Sequence, residues 1–314
     1  MLNRRQLRIK VMQALYGHFQ NENQDPNVAV NNLLTGNERS YDLYLHLLQI
    51  FVELAQLEQT YKTDAPARMV GKSPFSFKFT LDDCLFVKWL KSDANYNELV
   101  RKRTINWTLM HDDFATIYFN IRQTEEYKNF ISTPDQPADV QIKFLRYIFE
   151  NFFDKNDTFK HNVEERNIYW AESFDLQAHF VYKTLDGFNP KNFMANRILP
   201  VYKEAEDDID FVRMLFLKTV KNNDLYTKMI AEKTQNWEVD RIAVMDVILL
   251  KMALCEILEL PNIPVKVTMN EYLDISKVYS TPKSNAFING IIDNLVIELR
   301  EQNKIVKTGR GLVG

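Results

Sequence analysis

The chain has 314 residues, 46% of them apolar and 12% aromatic, which excludes global disorder and leaves enough material for one large core or two ordinary ones. Eight glycines are few for a sheet-rich protein or for one built on several glycine-rich nucleotide loops, so the composition points to an all-α fold. The net charge of −3 excludes a protein that coats nucleic acid everywhere, but it hides a basic end: residues 1–20 carry Arg4, Arg5, Arg8 and Lys10 and no acid.

The first predicted helix runs from about residue 4 to about residue 20. Leu7, Val11, Leu15 and Phe19 fall on one stripe, widened by Met12. Arg4 and Arg8 are i,i+4 neighbours that prolong this side toward the helix start, with Arg5 alongside. A helix N-terminus carries partial positive charge and favours Asp or Glu by roughly 0.3–1 kcal/mol per charge. Three guanidinium groups there are unfavourable unless something anionic meets them. A plain solvated basic end is the competing explanation.

"NENQDPN" (21–27) breaks the pattern, and residues 21–205 have a different texture. A strong helix is predicted over 40–61 and another over 80–92, where Thr80 stands three residues before Asp83 as a cap. Phe75, Phe77 and Phe79 alternate as a strand would, over too few positions to carry weight. Further amphipathic segments lie near 96–131, 138–153, 171–183 and 188–205. The aromatic density marks a folded helical region, not a linker.

In the last third, helices are predicted near 207–222, 224–233 and 240–260. Ile242, Met245, Ile248, Leu249, Met252 and Cys255 mark one buried face of the third. "PNIP" (261–264) stops it, and Pro264 suits the first turn of a helix over 265–280. In "TPKS", Thr281 can cap and Pro282 can open a final helix whose core stripe is Ile288, Ile291, Ile292, Leu295 and Leu299, with Phe287 at its border. Gly309, Gly311 and Gly314 suggest a flexible tail over 301–314.

Motifs for chemistry are missing. There is no phosphate-binding glycine loop, no dinucleotide fingerprint, no zinc-protease pair and no nucleophile elbow, so neither an enzyme nor a cofactor is expected. Cys84 and Cys255 form no disulfide framework and no zinc pattern, and Cys255 reads as a small core residue. "DKNDTFKHNVEE" (154–165) imitates a calcium loop but has Phe159 where the sharp turn needs glycine. His111, Asp112 and Asp113 read as a solvated polar face, and "RKR" (101–103) as a charged helix surface. No metal site is expected. The absence of a signal-peptide core or a long apolar run suggests a cytoplasmic protein.

One stretch carries a resemblance. "RIAVMDVILLKMALCEIL…NIPVKVTMNEYLDISKVYSTPKSNAFINGIIDNL" (241–295) resembles the C-terminal half of the bacterial NusB family of transcription antitermination factors. The matching positions are Arg241, Ile242, Asp246, Ala253 and Glu256; then Ile263, Pro264, Val267, Asn270 and Glu271; then Ser284, Phe287, Ile288, Asn289, Gly290 and Asp293. The opening helix with "VMQALY" (11–16) resembles the family's arginine-rich first helix, although Gln6 interrupts the basic run.

The resemblance implies a NusB-like helical bundle: residues 1–20 as its first helix, 206–300 as its core, and 21–205 as a large additional helical region that the family does not account for. It implies binding to single-stranded boxA RNA of ribosomal RNA leaders together with NusE, a small-subunit ribosomal protein, in a complex that modifies RNA polymerase. Arg4, Arg5 and Arg8 would contact phosphate; Lys283, Ser284 and Asn285 would contact phosphate or base edges; Phe287 would stack on a base, or else be peripheral core. Tyr16, Asp246 and Glu256 would face NusE, with ordinary carboxylates as the alternative. Asn270 and Glu271 would hold backbone groups at a helix junction. Self-association stays open. Two other readings compete: a protein-interaction scaffold of this fold that has lost RNA binding, and an RNA-modifying protein carrying such a module, which is expected to need a sheet and a cofactor loop beyond it.

Overall fold

The computed structural model describes residues 1–21, 24–68, 77–234 and 242–312. The fold is all-α, as expected. Among the described residues there is no strand, only an isolated bridge between Leu2 and Tyr202. The helices are α1 (Arg4–Gln20), α2 (Pro26–Arg68), α3 (Leu85–Ser92), α4 (Ala94–Lys102), α5 (His111–Gln123), α6 (Glu125–Ser132) and α7 (Ala138–Phe149). They continue with α8 (Asp157–Glu164), α9 (Phe174–Asp186), α10 (Ala205–Lys221), α11 (Asn223–Lys233), α12 (Val244–Glu259), α13 (Val265–Tyr279) and α14 (Ser284–Glu301). They form two compact units: Met1–Thr35 with Val201–Gly314, and Gly36–Pro200.

The first unit is organised by α12, which packs against α1, α10, α11, α13 and α14. It is apolar on nearly every side, as a helix surrounded by others must be: Ile248, Leu249, Met252, Ala253 and Cys255 are all buried. Three charged residues are buried with them, Asp246, Lys251 and Glu256. Each is held by a polar group from a neighbouring element, as burial requires. Lys251 donates to Asn223 Oδ1 at the start of α11 (2.7 Å); the other two belong to the site described below.

The segment after α14, expected as a flexible tail, instead folds back on the C-terminal end of α12. Lys307 Nζ donates to the carbonyls of Glu256 (3.2 Å) and Leu260 (3.0 Å), satisfying carbonyls that a helix end leaves without partners. Thr308 N–H donates to Pro261 O, and a Cβ at Gly311 would stand 1.9 Å from that same oxygen. Glycine there permits close backbone approach and is not a sign of fraying.

The second unit and the segments that lead into and out of it differ from expectation in two places. The helix predicted over 40–61 is part of the much longer α2, which starts at Pro26 where the missing N–H costs nothing, with Asp25 accepting from Asn27 N–H (2.8 Å). The segment near 188–205 is irregular up to α10: Asn196 bridges Asn189 N–H (2.7 Å) and C=O (3.1 Å), and prolines stand at 190 and 200. Residues 154–165 form the end of a π-turn and α8, with Phe159 buried in a ring cluster with Trp107, Phe114 and Phe153. Of the phenylalanine alternation, Phe75 lies outside the described residues. Lys78 and Phe79 N–H both donate to Ile131 O, which is no strand pairing. The Thr80 cap does form: the Asp83 carboxylate accepts from the Thr80 N–H and hydroxyl. Both cysteines are buried.

Glu58, on α2, is fully buried in this unit. It accepts from Leu81 N–H and from Tyr127 Oη (2.6 Å), whose hydroxyl also meets Tyr118 Oη at 2.8 Å. Burial lifts its carboxyl to about 7, against the pull of these donors and of Lys62. The folded state therefore keeps a proton that the unfolded chain releases near pH 4.5, and stability is lost as pH rises through 7. Urea unfolding followed from pH 5 to pH 8 should show a decline of up to about 3 kcal/mol that Glu58→Gln abolishes; an identical pH profile in the variant would contradict this.

Candidate nucleic-acid interface

The N-terminus of α1 resolves its own charge conflict. Asn3 caps the helix: its side-chain oxygen accepts from Gln6 N–H (2.9 Å), and Gln6 Oε1 accepts from Asn3 N–H (2.8 Å). Gln6 interrupts the arginine run because it completes this cap. The missing carboxylates come from α10 and α13. Arg4 Nε meets Asp208 at 2.9 Å, and that carboxylate also caps the start of α10 by accepting from Lys203 and Glu204 N–H. Arg5 donates through Nε and Nη2 to Glu271 (both 2.9 Å) and through Nη2 to Asp274 (2.9 Å). The Arg4 guanidinium also lies 4.4 Å from the centre of the Phe211 ring.

Arg8 differs in kind. It is 3% exposed and forms a two-pronged pair with Glu256, itself 0% exposed: Nε to Oε2 at 2.8 Å and Nη2 to Oε1 at 2.7 Å. Thr268 Oγ1 (2.7 Å) and Tyr272 Oη (3.2 Å) also donate to Glu256, and Glu271 lies 3.5 Å from Arg8 Nη1. Desolvation alone would lower the Arg8 pKa, but the hydrogen bonds and charge of Glu256 outweigh it and raise it, so the charge is permanent. Arg8 therefore belongs to the core and is not placed to touch phosphate. Glu256 is likewise a core anchor, not a partner-facing carboxylate. Glu271, expected to hold backbone, holds Arg5 and Arg8 instead.

The start of α14 divides similarly. Ser284, expected at the RNA surface, is buried and donates to Asp246 Oδ2 at 2.6 Å; Ser280 Oγ donates to Oδ1 of the same carboxylate. Asp246 is therefore the buried knot joining α12 to the α13–α14 corner, not a surface for a protein partner. Thr281 and Pro282 form the turn before α14, where Thr281 O accepts from Ser284 N–H. Lys283 is exposed, Asn285 donates to Leu273 O (2.9 Å), and Phe287 is half-buried. Arg5 and Asn285 thus both bond to the α13 stretch 271–274. Tyr16 is exposed farther along α1. Arg241 lies outside the described residues.

Of the carboxylates that receive the arginines, Glu256 and Glu271 were singled out from the sequence in other roles, and Asp208 and Asp274 were not singled out. Glu271 and Asp274 stand three apart on one helix face, and Asp207 and Asp208 open an acidic helix start, but nothing local says which basic helix they face. His111 is solvent-exposed beside Asp112, and Arg103 of the "RKR" run pairs with Glu38 and Asp42. Among the described residues no group of three or more His, Cys, Asp or Glu could hold a metal ion, and no helix is long and apolar enough to cross a membrane.

Comparison with known proteins adds a family. The NusB family model matches residues 182–296. The chain is 43% identical over 105 residues to the transcription antitermination protein NusB of Salinibacter ruber (33% of this chain, 66% of that one). It is 38% identical over 141 residues to the protein of that name from Chloroherpeton thalassium (45% and 63%). It is 38% identical over 104 residues to that of Thermodesulfovibrio yellowstonii (33% and 69%). The chain thus spans slightly under two thirds of the length of the first two relatives. A solved structure of T. maritima NusB is 26% identical and covers 38% of this chain and 82% of its own, with a TM-score of 0.29.

The two kinds of arginine separate in a stability measurement. Glu256→Gln, which strands a buried guanidinium, should cost about 3–5 kcal/mol in urea unfolding. Arg5→Ala, which breaks half-exposed pairs, should cost under about 1 kcal/mol. Equal costs would contradict the assignment of Arg8 to the core.

Proposed function

Because this chain belongs to the NusB family, we propose that it is an RNA-binding transcription antitermination factor that acts in the cytoplasm. In this reading it binds boxA-type single-stranded RNA of ribosomal RNA leaders, together with the ribosomal protein NusE, and joins the complex that modifies RNA polymerase. The observation that carries the reading is the likeness to relatives named transcription antitermination proteins, the third of which this chain covers over more than two thirds of its length.

The geometry supports a narrower contact set than the sequence suggested. Arg4 and Arg5 keep 39% and 46% of their side chains exposed, and ion pairs of that kind are weak enough for phosphate to compete with the carboxylates. Lys283 adds a third exposed cation, Asn285 a side-chain amide, and the half-buried Phe287 a ring for an unstacked base. Tyr16 stays as the NusE-facing candidate. One observation favours the scaffold reading instead: the described carboxylates already answer all three arginines, and the unit formed by 1–35 and 201–314 holds as many Lys and Arg as Asp and Glu.

Fluorescence anisotropy with a labelled boxA RNA, with and without NusE, tests the proposal. Three phosphate contacts predict a slope of log K against log salt of about −2 for a single strand. Arg4→Ala with Arg5→Ala should flatten that slope, and Phe287→Ala should weaken binding about tenfold, the scale of one lost base stack. No binding even beside NusE would overturn the reading in favour of the scaffold.

A further inference from the structure

In the second unit, two short turns are pinned side by side on α2. Trp107 Nε1 donates to His46 O (2.8 Å) and Trp170 Nε1 donates to Arg39 O (3.0 Å). The His46 ring packs edge-on against both indoles, with centroids 5.3 and 4.8 Å away. Its Nδ1–H donates to Asp42 O (2.8 Å). Each tryptophan holds a one-turn 3-10 helix, Thr108–Met110 and Ile168–Trp170. Arg166 Nη2 joins them by donating to Leu109 O at 3.0 Å. Gly36 of α2 leaves room for the Tyr169 ring, 3.5 Å from where a Cβ would stand.

These rigid turns point apolar side chains at solvent. Leu109 is 83% exposed and Ile168 85%, with the Tyr169 ring partly exposed beside Ile168. A scattered exposed leucine is ordinary, but two aliphatic side chains on turns that are anchored to neighbouring stretches of α2 and tied to each other by Arg166 form a preorganised patch. Its surroundings are acidic. Asp112 and Asp113 lie within four residues of Leu109, and Glu165 and Glu172 within four of Ile168. The neighbouring cations are already committed, Arg166 to the Leu109 carbonyl, Arg39 to Asp42, and Arg103 to Glu38 and Asp42, while Glu165 also meets His161 Nε2.

We propose that this patch docks a cationic amphipathic helix of a partner protein. The helix would lay its apolar face over Leu109, Ile168 and Tyr169, with Lys or Arg reaching the carboxylates around them. The acidic rim repels RNA, and it repels a second copy of itself in a two-fold contact, so neither suits the surface. The proposal does not depend on RNA binding by the first unit.

The test titrates the full-length protein with two model helical peptides of equal length, one Leu–Lys and one Leu–Glu, while amide and methyl resonances are followed by NMR. The Leu–Lys peptide should shift Leu109, Ile168 and Tyr169, and the Leu–Glu peptide should not. Leu109→Ser with Ile168→Ser should weaken the Leu–Lys peptide at least tenfold, with the melting temperature unchanged because both side chains are exposed. Asp112→Lys with Glu165→Lys should weaken it and admit the Leu–Glu peptide. Shifts centred elsewhere, equal binding of both peptides, or self-association abolished by the double serine variant would each overturn the proposal.

Discussion

Arg8 and Glu256 meet inside a helical unit with almost no access to water, and the arrangement of the first unit follows from the need to satisfy them. A lone buried charge is prohibitive, and a buried pair is tolerable only when its remaining donors and acceptors are also matched. Here Thr268 and Tyr272 supply the matching bonds from α13, so one carboxylate on α12 fixes both α1 and α13. The same logic repeats along α12: Asp246 fixes the turn into α14, and Lys251 fixes the start of α11. A helix surrounded on all sides has no outward face for charge, so each of these three charges sets the position of a neighbour. The buried polar groups give α12 a register that apolar packing alone would leave loosely defined.

The basic helix end that looks wrong in the sequence is therefore balanced within the chain. Asp208, Glu271 and Asp274 do from α10 and α13 what Asp or Glu in the first turn of α1 would otherwise do. The balance is graded from solvent inward: Arg4 and Arg5 keep half-exposed pairs that an incoming anion can share or exchange, while Arg8 cannot leave its partner. In the proposed function, a polyanion arriving here would find cations already oriented by their carboxylates. Such orientation would favour a specific contact, and the prior neutralisation would limit its strength.

Much of this was legible in the sequence, and the reason lies in locality. Helix periodicity, the Thr80 cap and the Pro264 start depend on residues within a few positions, and they appear in the structure. The family was legible because its motif residues sit close together, and several prove to be buried polar anchors: Asp246, Glu256 and Ser284. Their roles were not legible, because a carboxylate held in the core and one facing a partner look alike until the partner of its hydrogen bonds is known. Arg8 and Glu256 are separated by most of the chain. The docked C-terminal segment was hidden for the same reason: Lys307 and Gly311 have meaning only against the end of α12. The length of α2 was obscured because Gly36 and the polar residues around it interrupt the apolar pattern before residue 40.

The most direct test of the central pair is a double-mutant cycle in which Arg8→Met and Glu256→Leu are made singly and together and each protein is unfolded in urea. If the two groups are partners in a dry site, the double variant is less destabilised than the sum of the singles by several kcal/mol, since neither change then strands a charge. Additive losses would mean that the two side chains do not meet in the folded protein, and the account of α1 and α12 given above would be wrong.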